Sequence, residues 1–180
     1  MKYLMLVSAL LFSISATAGS NEAVKVTPKE FDALKTLVGQ WEGTTVMGGK
    51  ETPINVSYEL TSGGSAIVER LFSGTPHEMV SVYHARGNKI MMTHYCMLGN
   101  QPQMSLKKAD DKTIAFETHG TAGISSMKEP HMRSLNINLI DPDNIREEWT
   151  FFDNGKKKDT TVITLTRKKE EAELLNPKSW

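Results

Sequence analysis

The fold follows from residues 89–97, which read KIMMTHYCM, and from the turn residues on either side of them. Residues 85–88 (ARGN) precede this run and residues 99–102 (GNQP) follow it, so about nine residues extend between two chain breakers. A run of this length between such breakers is typical of a β-strand and short for a helix. The sequence therefore predicts a strand over residues 89–97.

The two faces of this predicted strand are both largely apolar. Alternate residues of a strand share a face. One face consists of Ile90, Met92, His94 and Cys96, and the other of Met91, Thr93, Tyr95 and Met97. We expect both faces to be covered by other parts of the chain. A histidine and the only cysteine therefore lie together on a covered face, which makes them candidate site residues.

The same pattern of short runs and turns extends along most of the chain. Ten runs have it: 40–47, 53–61, 65–73, 78–85, 89–97, 103–108, 113–118, 131–139, 145–152 and 159–167. The segments between them are rich in Gly, Asn, Asp and Pro, which suit tight turns. Ten strands joined in this way form a meander, which loses its exposed edges by closing on itself. The sequence predicts an all-β fold, an antiparallel up-and-down barrel of about ten strands.

Two segments depart from the pattern of strands and tight turns. Before the first strand, Phe31, Leu34 and Leu37 fall on one face of a short amphipathic helix that ends near Gly39. Between the seventh and eighth strands, residues 118–130 form a longer loop. Loops of that length are often mouth or lid elements.

The first 18 residues have the pattern of a secretory signal peptide. Lys2 precedes an apolar run, and Ala16-Thr17-Ala18 is a small-residue cleavage site. The apolar run is too short for a membrane span, and no later stretch is long and apolar enough for one. We therefore divide the chain into a signal peptide (1–18), a polar leader (19–26), a barrel domain (27–167) and a charged tail (168–180). We expect a periplasmic or secreted protein.

Composition limits the classes of partner. Removing the signal takes away one base and no acid, so 21 basic against 21 acidic residues becomes 20 against 21. A net charge near minus one argues against nucleic acid or an anionic membrane as the main partner. One cysteine cannot form an internal disulfide, so the fold depends on packing alone. The sequence specifies neither a cofactor nor an oligomeric state.

Short motifs resemble known families. Residues 37–43 (LVGQWEG) resemble the G-x-W opening of the calycins, which include lipocalin, fatty-acid-binding and nitrobindin-like barrels. In those barrels a short helix precedes the first strand and the tryptophan closes the base, which is the position of Trp41. Residues 78–84 (EMVSVYH), 93–96 (THYC) and 99–102 (GNQP) resemble exported bacterial DUF1579-like domains. This second resemblance spans most of the chain after the signal and implies a calycin-like barrel without an established activity.

The resemblance does not extend to haem binding. Nitrobindin-like proteins take the histidine that binds haem iron from a strand near the C-terminus. Here the last histidine is His131, and the final two predicted strands have none. We therefore do not transfer that function to this chain.

The predicted hairpin over residues 78–97 brings the candidate site residues together. A turn of two or four residues places Ser81 or Met79 opposite His94, and Tyr83 opposite Met92 or Ile90. In a structural interpretation, His94 is a core histidine bonded to a Ser81 or Tyr83 hydroxyl. In a metal interpretation, His94, Cys96 and a methionine supply soft ligands of the kind that copper(I) prefers. A nucleophilic cysteine is the third interpretation, but no acid is clearly placed to orient His94.

Charged residues also occur within the predicted strands. Glu69-Arg70, Arg133 and Glu147-Glu148 are examples, and most of them are expected to face water. In a barrel, some must point inward, where Arg70 or Arg133 could meet the carboxylate of a ligand. Fatty-acid-binding barrels use inward arginines and a tyrosine in this way, so the resemblance implies such a site.

Our first hypothesis is an exported binding protein for a hydrophobic or carboxylate-bearing small molecule. The candidate ligand-binding residues are Trp41, Arg70, Met79, Tyr83, Met92, His94, Cys96 and Arg133. The alternatives are an enzyme or a metal or redox protein that uses His94 and Cys96, and a structural envelope protein whose barrel is filled by side chains. No catalytic or metal-ligating set is assigned.

Export can be tested by N-terminal sequencing. If residues 1–18 are a signal peptide, the protein recovered from the periplasm or medium should begin at Gly19 or within a few residues of it. Replacing Ala16 and Ala18 by bulky residues should block cleavage and leave the longer chain. A cytoplasmic protein that retains Met1 would contradict the prediction.

Overall fold

The computed structural model describes residues 28–169, and residues 1–27 and 170–180 lie outside the described residues. The predicted signal peptide, the polar leader and most of the tail therefore lie outside it. The elements are α1 (Glu30–Lys35), β1 (Gly39–Met47), β2 (Lys50–Thr61), a 3₁₀ turn (Ser62–Gly64), β3 (Ala66–Leu71), β4 (Met79–Arg86), β5 (Lys89–Tyr95), β6 (Gln103–Ala109), β7 (Thr113–Thr118), β8 (His131–Asp141), β9 (Asn144–Asp153) and β10 (Lys156–Arg167).

The ten strands form a closed antiparallel barrel. Each strand pairs with its neighbours in sequence, and β1 pairs with β10 to complete the circle. This confirms the predicted all-β fold of about ten strands with a short N-terminal helix. All ten predicted runs contain a strand, with differences at their ends. For example, β5 ends at Tyr95 because the Cys96 N–H already donates to the Asn100 carbonyl within the following turn.

β1 and β10, the two strands that close the barrel, approach each other closely at Gly43. Gly43 of β1 lies opposite Leu165 of β10. A Cβ atom at Gly43 would lie 1.8 Å from the Thr164 carbonyl oxygen, far inside van der Waals contact. Glycine is therefore required here, because any side chain would push the two strands apart at the point of closure.

The helix covers one end of the barrel. Phe31 and Leu34 of α1 and Leu37 after it are buried in the apolar core. Trp41 is also fully buried, and its Nε1 donates to the Leu37 carbonyl at 2.8 Å. Trp41 thus closes the base of the barrel, beneath the short helix.

Arg167, the last residue of β10, ties this end together. Its Nη1 donates to the Val38 carbonyl at 2.7 Å and its Nη2 to the Thr36 carbonyl at 2.8 Å. Its guanidinium lies 4.1 Å from the centre of the Trp41 ring, in a cation–π contact. One side chain therefore connects the last strand, the segment after α1 and the first strand.

One strand pair is much shorter than the others. Residues 91–93 of β5 pair with residues 103–105 of β6, whereas β4 and β5 pair along residues 80–86 and 89–95. We call this short pairing the β5–β6 seam. Within residues 28–169, no helix is long and apolar enough to cross a membrane.

Replacing Arg167 by alanine should lower the free energy of unfolding by about 2 kcal/mol, because its hydrogen bonds to the carbonyls of Thr36, Val38 and Pro142 and its contact with Trp41 are lost. Lysine should restore only part of the stability, because its ammonium group cannot reproduce the two-pronged geometry of the guanidinium. Urea denaturation followed by tryptophan fluorescence measures the effect. Lys168→Ala, which removes an exposed ion pair with Glu42, is the control and should change the stability little. Equal effects of the two substitutions would contradict this account of the closure.

Candidate functional site

Two glutamates lie inside the barrel with no exposed surface. Glu69 is on β3 and Glu147 is on β9. Glu69 alternates with the buried residues Ile67 and Leu71, so the pleat of the strand points it inward. A buried carboxyl is costly unless hydrogen bonds replace the water that it loses. The surrounding side chains supply those bonds.

Two tyrosines and a tryptophan bond the carboxyl oxygens. Tyr58 Oη lies 2.9 Å from Glu69 Oε1 and 2.7 Å from Glu147 Oε1, so it bridges the two acids. Tyr83 Oη donates to Glu69 Oε2 at 2.8 Å, and Trp149 Nε1 donates to Glu147 Oε2 at 3.0 Å. The partners come from β2, β4 and β9, so the network crosses the barrel interior. We call these five side chains the carboxyl cluster.

Burial changes the ionisation of both acids. Loss of water, and after it the nearby negative charge of Glu147, raise the pKa of Glu69 to about 8 against the lowering effect of its hydrogen bonds. Burial also raises the pKa of Glu147 above its ordinary value. Burial and the two glutamates raise the pKa values of Tyr58 and Tyr83, so both hydroxyls keep their protons.

His94 lies next to this cluster. The predicted register for a two-residue turn is confirmed, because Ser81 lies opposite His94 and Tyr83 opposite Met92. His94 Nδ1 is 3.0 Å from Ser81 Oγ, and its ring centre is 4.5 Å from that of Trp149. Burial lowers the pKa of His94 to about 4, so the ring is neutral near pH 7. Its buried Nε2 has no hydrogen-bond partner among the described residues.

The structure separates the predicted site residues into two groups. Trp41, Tyr83, Met92 and His94 are fully buried in the barrel, and Met79 packs against its core. The remaining three candidates have other surroundings. Cys96 lies half-buried beyond the end of β5, where burial raises the pKa of its thiol. His94 is thus within the strand and Cys96 within the turn that follows.

The two candidate arginines lie on the other face of their strands. Arg70 Nη1 is 3.2 Å from Glu78 Oε1, and the side chain is 42% exposed. Arg133 Nη2 is 3.1 Å from Glu117 Oε1, and the Arg133 side chain is 29% exposed. Both arginines are therefore paired on the surface, and among residues 28–169 the buried acidic groups are the carboxyls of Glu69 and Glu147.

From the sequence, Glu69 and Glu147 were expected to be among the strand charges that mostly face water. The signal that could have identified Glu147 is its strand pattern. Ile145, Glu147 and Trp149 share one face of β9, while Arg146 and Glu148 share the other. An acid on the apolar face of a strand whose other face is charged is expected to point inward.

An open cleft of about 850 Å³ lies between α1, the β4–β5 turn and β6. We call it the rim cleft. Its charged lining residues include Arg86, Lys89, Lys107 and Lys108, with Glu30 as an acid. Its apolar lining residues are Ile90, Met91, Leu106 and Ala109. Lys108 pairs with Asp110 at 2.8 Å, and the cleft still has an excess of positive charge.

Within residues 28–169, no group of three His, Cys, Asp or Glu side chains could hold a metal ion. The arrangement is that of a closed ten-stranded barrel with a buried, hydrogen-bonded acid pair and a basic cleft at one end.

Comparisons with known proteins support the fold. The sequence matches no protein-family profile and no curated protein. The structure is similar to a protein of unknown function of the DUF3598 family from Nostoc punctiforme PCC 73102, with 16% identity and a TM-score of 0.53 over 75% of this chain and 49% of that one. It is also similar to Rv2717c from M. tuberculosis, with 14% identity and a TM-score of 0.51 over 78% of this chain and 98% of that one. The chain thus spans about half the length of the Nostoc protein, and at these identities the likeness shows the fold alone.

The bridging role of Tyr58 predicts unequal effects for two similar substitutions. Tyr58→Phe should lower the free energy of unfolding by about 3 kcal/mol, because both carboxyls lose a partner inside the barrel. Tyr83→Phe is the matched control, since Tyr83 bonds only one of the two carboxyls, that of Glu69, and it should cost about half as much. Chemical denaturation at pH 7 measures both. If Tyr83→Phe were the more damaging, the two acids would not depend on the Tyr58 bridge.

Proposed function

We propose that this chain is an exported, calycin-like barrel that binds a small hydrophobic molecule with a carboxylate group in the rim cleft. The observation that carries the proposal is a cleft with positive charge beside an apolar surface. Its volume of about 850 Å³ is in the range of small-molecule sites. Export is supported by the signal-like residues 1–18, and the calycin assignment by the G-x-W motif at Trp41.

The charge of the cleft favours an anion. Arg86 and Lys89 flank the β4–β5 turn, and Lys107 extends from β6 on the facing side. All three are exposed, so their charges can attract a carboxylate from solution. The guanidinium of Arg86 can also bond both oxygens of a carboxylate at once.

The apolar part of the cleft favours a ligand with a hydrocarbon portion. Ile90 is 2% exposed and Met91 is 6% exposed. Both are therefore packed within the barrel wall, and both also line the cleft. Leu106 packs against the core on the other side. Covering these side chains would stabilise a bound ligand by about 25 cal/mol for each Å² of apolar surface removed from water.

The β5–β6 seam gives such a ligand a route towards the core. Beyond residues 91 and 105, towards the cleft, β5 and β6 are not paired, so few hydrogen bonds hold the wall there. Met92 and Met104 lie opposite each other at the seam and are fully buried. Methionine side chains repack readily, so the seam can adapt to the end of a hydrocarbon chain.

The position of this site differs from the lumen site expected from the sequence. Tyr58, Tyr83, Phe116 and Trp149 fill the interior around His94 and the two glutamates. This filled interior favours a second candidate function, a structural envelope protein without a ligand. The enzyme or redox alternative has less support, because burial raises the pKa of the Cys96 thiol and so disfavours the thiolate.

A fluorescent fatty-acid analogue tests the proposed binding. The protein from residue 19 onward should enhance its fluorescence, and the alcohol of the same chain length should compete less well than the acid. Arg86→Glu with Lys89→Glu should weaken binding at least about tenfold, which is about 1.4 kcal/mol, because repulsion replaces attraction at the rim.

Lys50→Glu is the matched control, since Lys50 is exposed at the start of β2, outside the cleft. It should leave affinity unchanged. Binding that is equal for the acid and the alcohol and indifferent to the double substitution would contradict the rim cleft as the site. No binding of either compound would favour the structural function.

A further inference from the structure

If both glutamates were ionised, the carboxyl cluster would have one hydrogen too few for its contacts. Tyr58 Oη is within hydrogen-bond distance of both Glu69 Oε1 and Glu147 Oε1. A tyrosine hydroxyl has one hydrogen to donate, so it can bond only one ionised carboxylate well. If both acids were ionised, the second contact would bring two oxygens together at under 3 Å without a hydrogen between them. A proton on one carboxyl turns that contact into a hydrogen bond in which the acid donates to Tyr58.

The other contacts of the cluster cannot remove this need. Tyr83 and Trp149 each donate to the other oxygen of one acid. Ser81 also bonds Glu69, and the His94 ring lies against Trp149. All of these partners are neutral near pH 7, and both glutamates have no exposed surface. Two negative charges in a closed space would repel each other with no cation among these partners to compensate.

We propose that the folded barrel holds one shared proton on the Glu69–Glu147 pair at neutral pH, and that loss of this proton in mildly alkaline solution weakens the barrel first at the β5–β6 seam. The pair is therefore a pH-sensitive element at the centre of the fold. This inference does not depend on the function proposed for the rim cleft.

The direction of the pH effect follows from proton linkage. The pKa of Glu69 is about 8 in the folded barrel, against an ordinary value of 4.5. Between these values the folded protein keeps a proton that the unfolded chain has released. The contribution of Glu69 to stability is therefore fully present below the ordinary value and is lost as the pH rises through 8. Glu147, whose pKa is also raised, contributes in the same direction.

His94 acts in the opposite direction and sets the useful pH window. Its pKa is about 4 in the folded protein, against an ordinary value of 6.5. Between these values the unfolded chain binds a proton that the buried ring does not, so His94 makes stability rise with pH up to about 6.5. Above that pH only about a twofold rise in the folding equilibrium constant remains from His94, and the raised pKa values of Tyr58 and Tyr83 keep both tyrosines out of the window. Between about pH 6.5 and 8, the acid pair therefore makes the largest contribution of the cluster to the pH dependence of stability.

The seam is the expected point of weakening because it is close to the pair and short. Tyr83, which donates to Glu69, lies opposite Met92, and Met92 lies opposite Met104 across the seam. When the acids repel each other, the Tyr83 hydroxyl must move with Glu69. The strand pairing nearest to that movement with the fewest paired residues is that of residues 91–93 with 103–105.

Urea denaturation between pH 6.5 and 8 tests the shared proton. The folding equilibrium constant of the wild-type protein should fall about eightfold over this range, because the fifteenfold fall that one proton with a folded pKa of about 8 requires is offset about twofold by His94. Glu69→Gln, which resembles the protonated acid, should remove most of the fall. Glu59→Gln is the control, since Glu59 is an exposed acid on β2, and it should keep the wild-type slope. A flat wild-type profile, or a Glu69→Gln profile that falls like the wild type, would overturn the proposal.

Two further measurements keep the test decisive if Glu69→Gln does not fold. Infrared spectroscopy of the wild type should show the C=O stretch of a protonated carboxylic acid at pH 7, and its absence would overturn the proposal. Glu147→Gln removes the charge that raises the pKa of Glu69, so the fall in stability should end at a lower pH. An unchanged end point would show that the two acids do not share the proton.

Hydrogen exchange tests the location of the weakening. After correction for the intrinsic rates, protection of the amides in residues 91–93 and 103–105 should decrease between pH 7 and 8 more than that of β9 and β10. Glu69→Gln should abolish this difference. Equal losses throughout the barrel would overturn the assignment of the seam.

Discussion

Two carboxyls inside a closed barrel impose a constraint that the surrounding structure has to meet. Glu69 and Glu147 have no exposed surface, so every hydrogen bond they lose to water must be replaced from within. The replacements come from side chains on β2, β4 and β9, and each donor must lie on the inner face at the correct height. Because a slip of one residue in any strand would turn its donor outward, the cluster fixes the register of several strands at once. The polar centre thus specifies an arrangement that apolar packing alone would define less strictly.

The two ends of the domain are joined by a different set of contacts. β1 and β10 can pair closely because Gly43 has no side chain to meet the Thr164 carbonyl. Arg167 then binds the carbonyls of Thr36 and Val38 and covers the Trp41 ring. Closure and capping therefore depend on residues at opposite ends of the domain, whose contacts form only when the whole meander is complete.

The sequence was sufficient for the strands and for part of the register, because turn residues mark nearly every strand boundary. It also placed Ser81 and Tyr83 correctly for a two-residue turn. It was not sufficient to decide which charges point inward. In β3, Glu69 shares a face with Ile67 and Leu71, but Arg70 also follows an apolar neighbour, Val68, on the opposite face. Because both faces of β3 are similarly apolar, the sequence does not show which face points inward. Only closure of the barrel determines that Glu69 is on the inner face. For Glu147 the opposite face of β9 is charged, so alternation alone could have predicted its burial.

The filled interior explains why the candidate binding site lies at the edge of the barrel. Side chains as large as Tyr58, Tyr83 and Trp149 are held in place by bonds to the acids, so making room for a ligand beside them would break those bonds. Removing even one partner from a buried polar group costs about 1–3 kcal/mol, which a weakly bound small molecule would have to offset. A ligand in the rim cleft would not have to break hydrogen bonds to the buried acids. Its basic side chains are exposed, and the unpaired part of β5 and β6 leaves its wall adaptable. A barrel whose centre is occupied by a rigid polar network can therefore still bind a ligand where its wall is least complete.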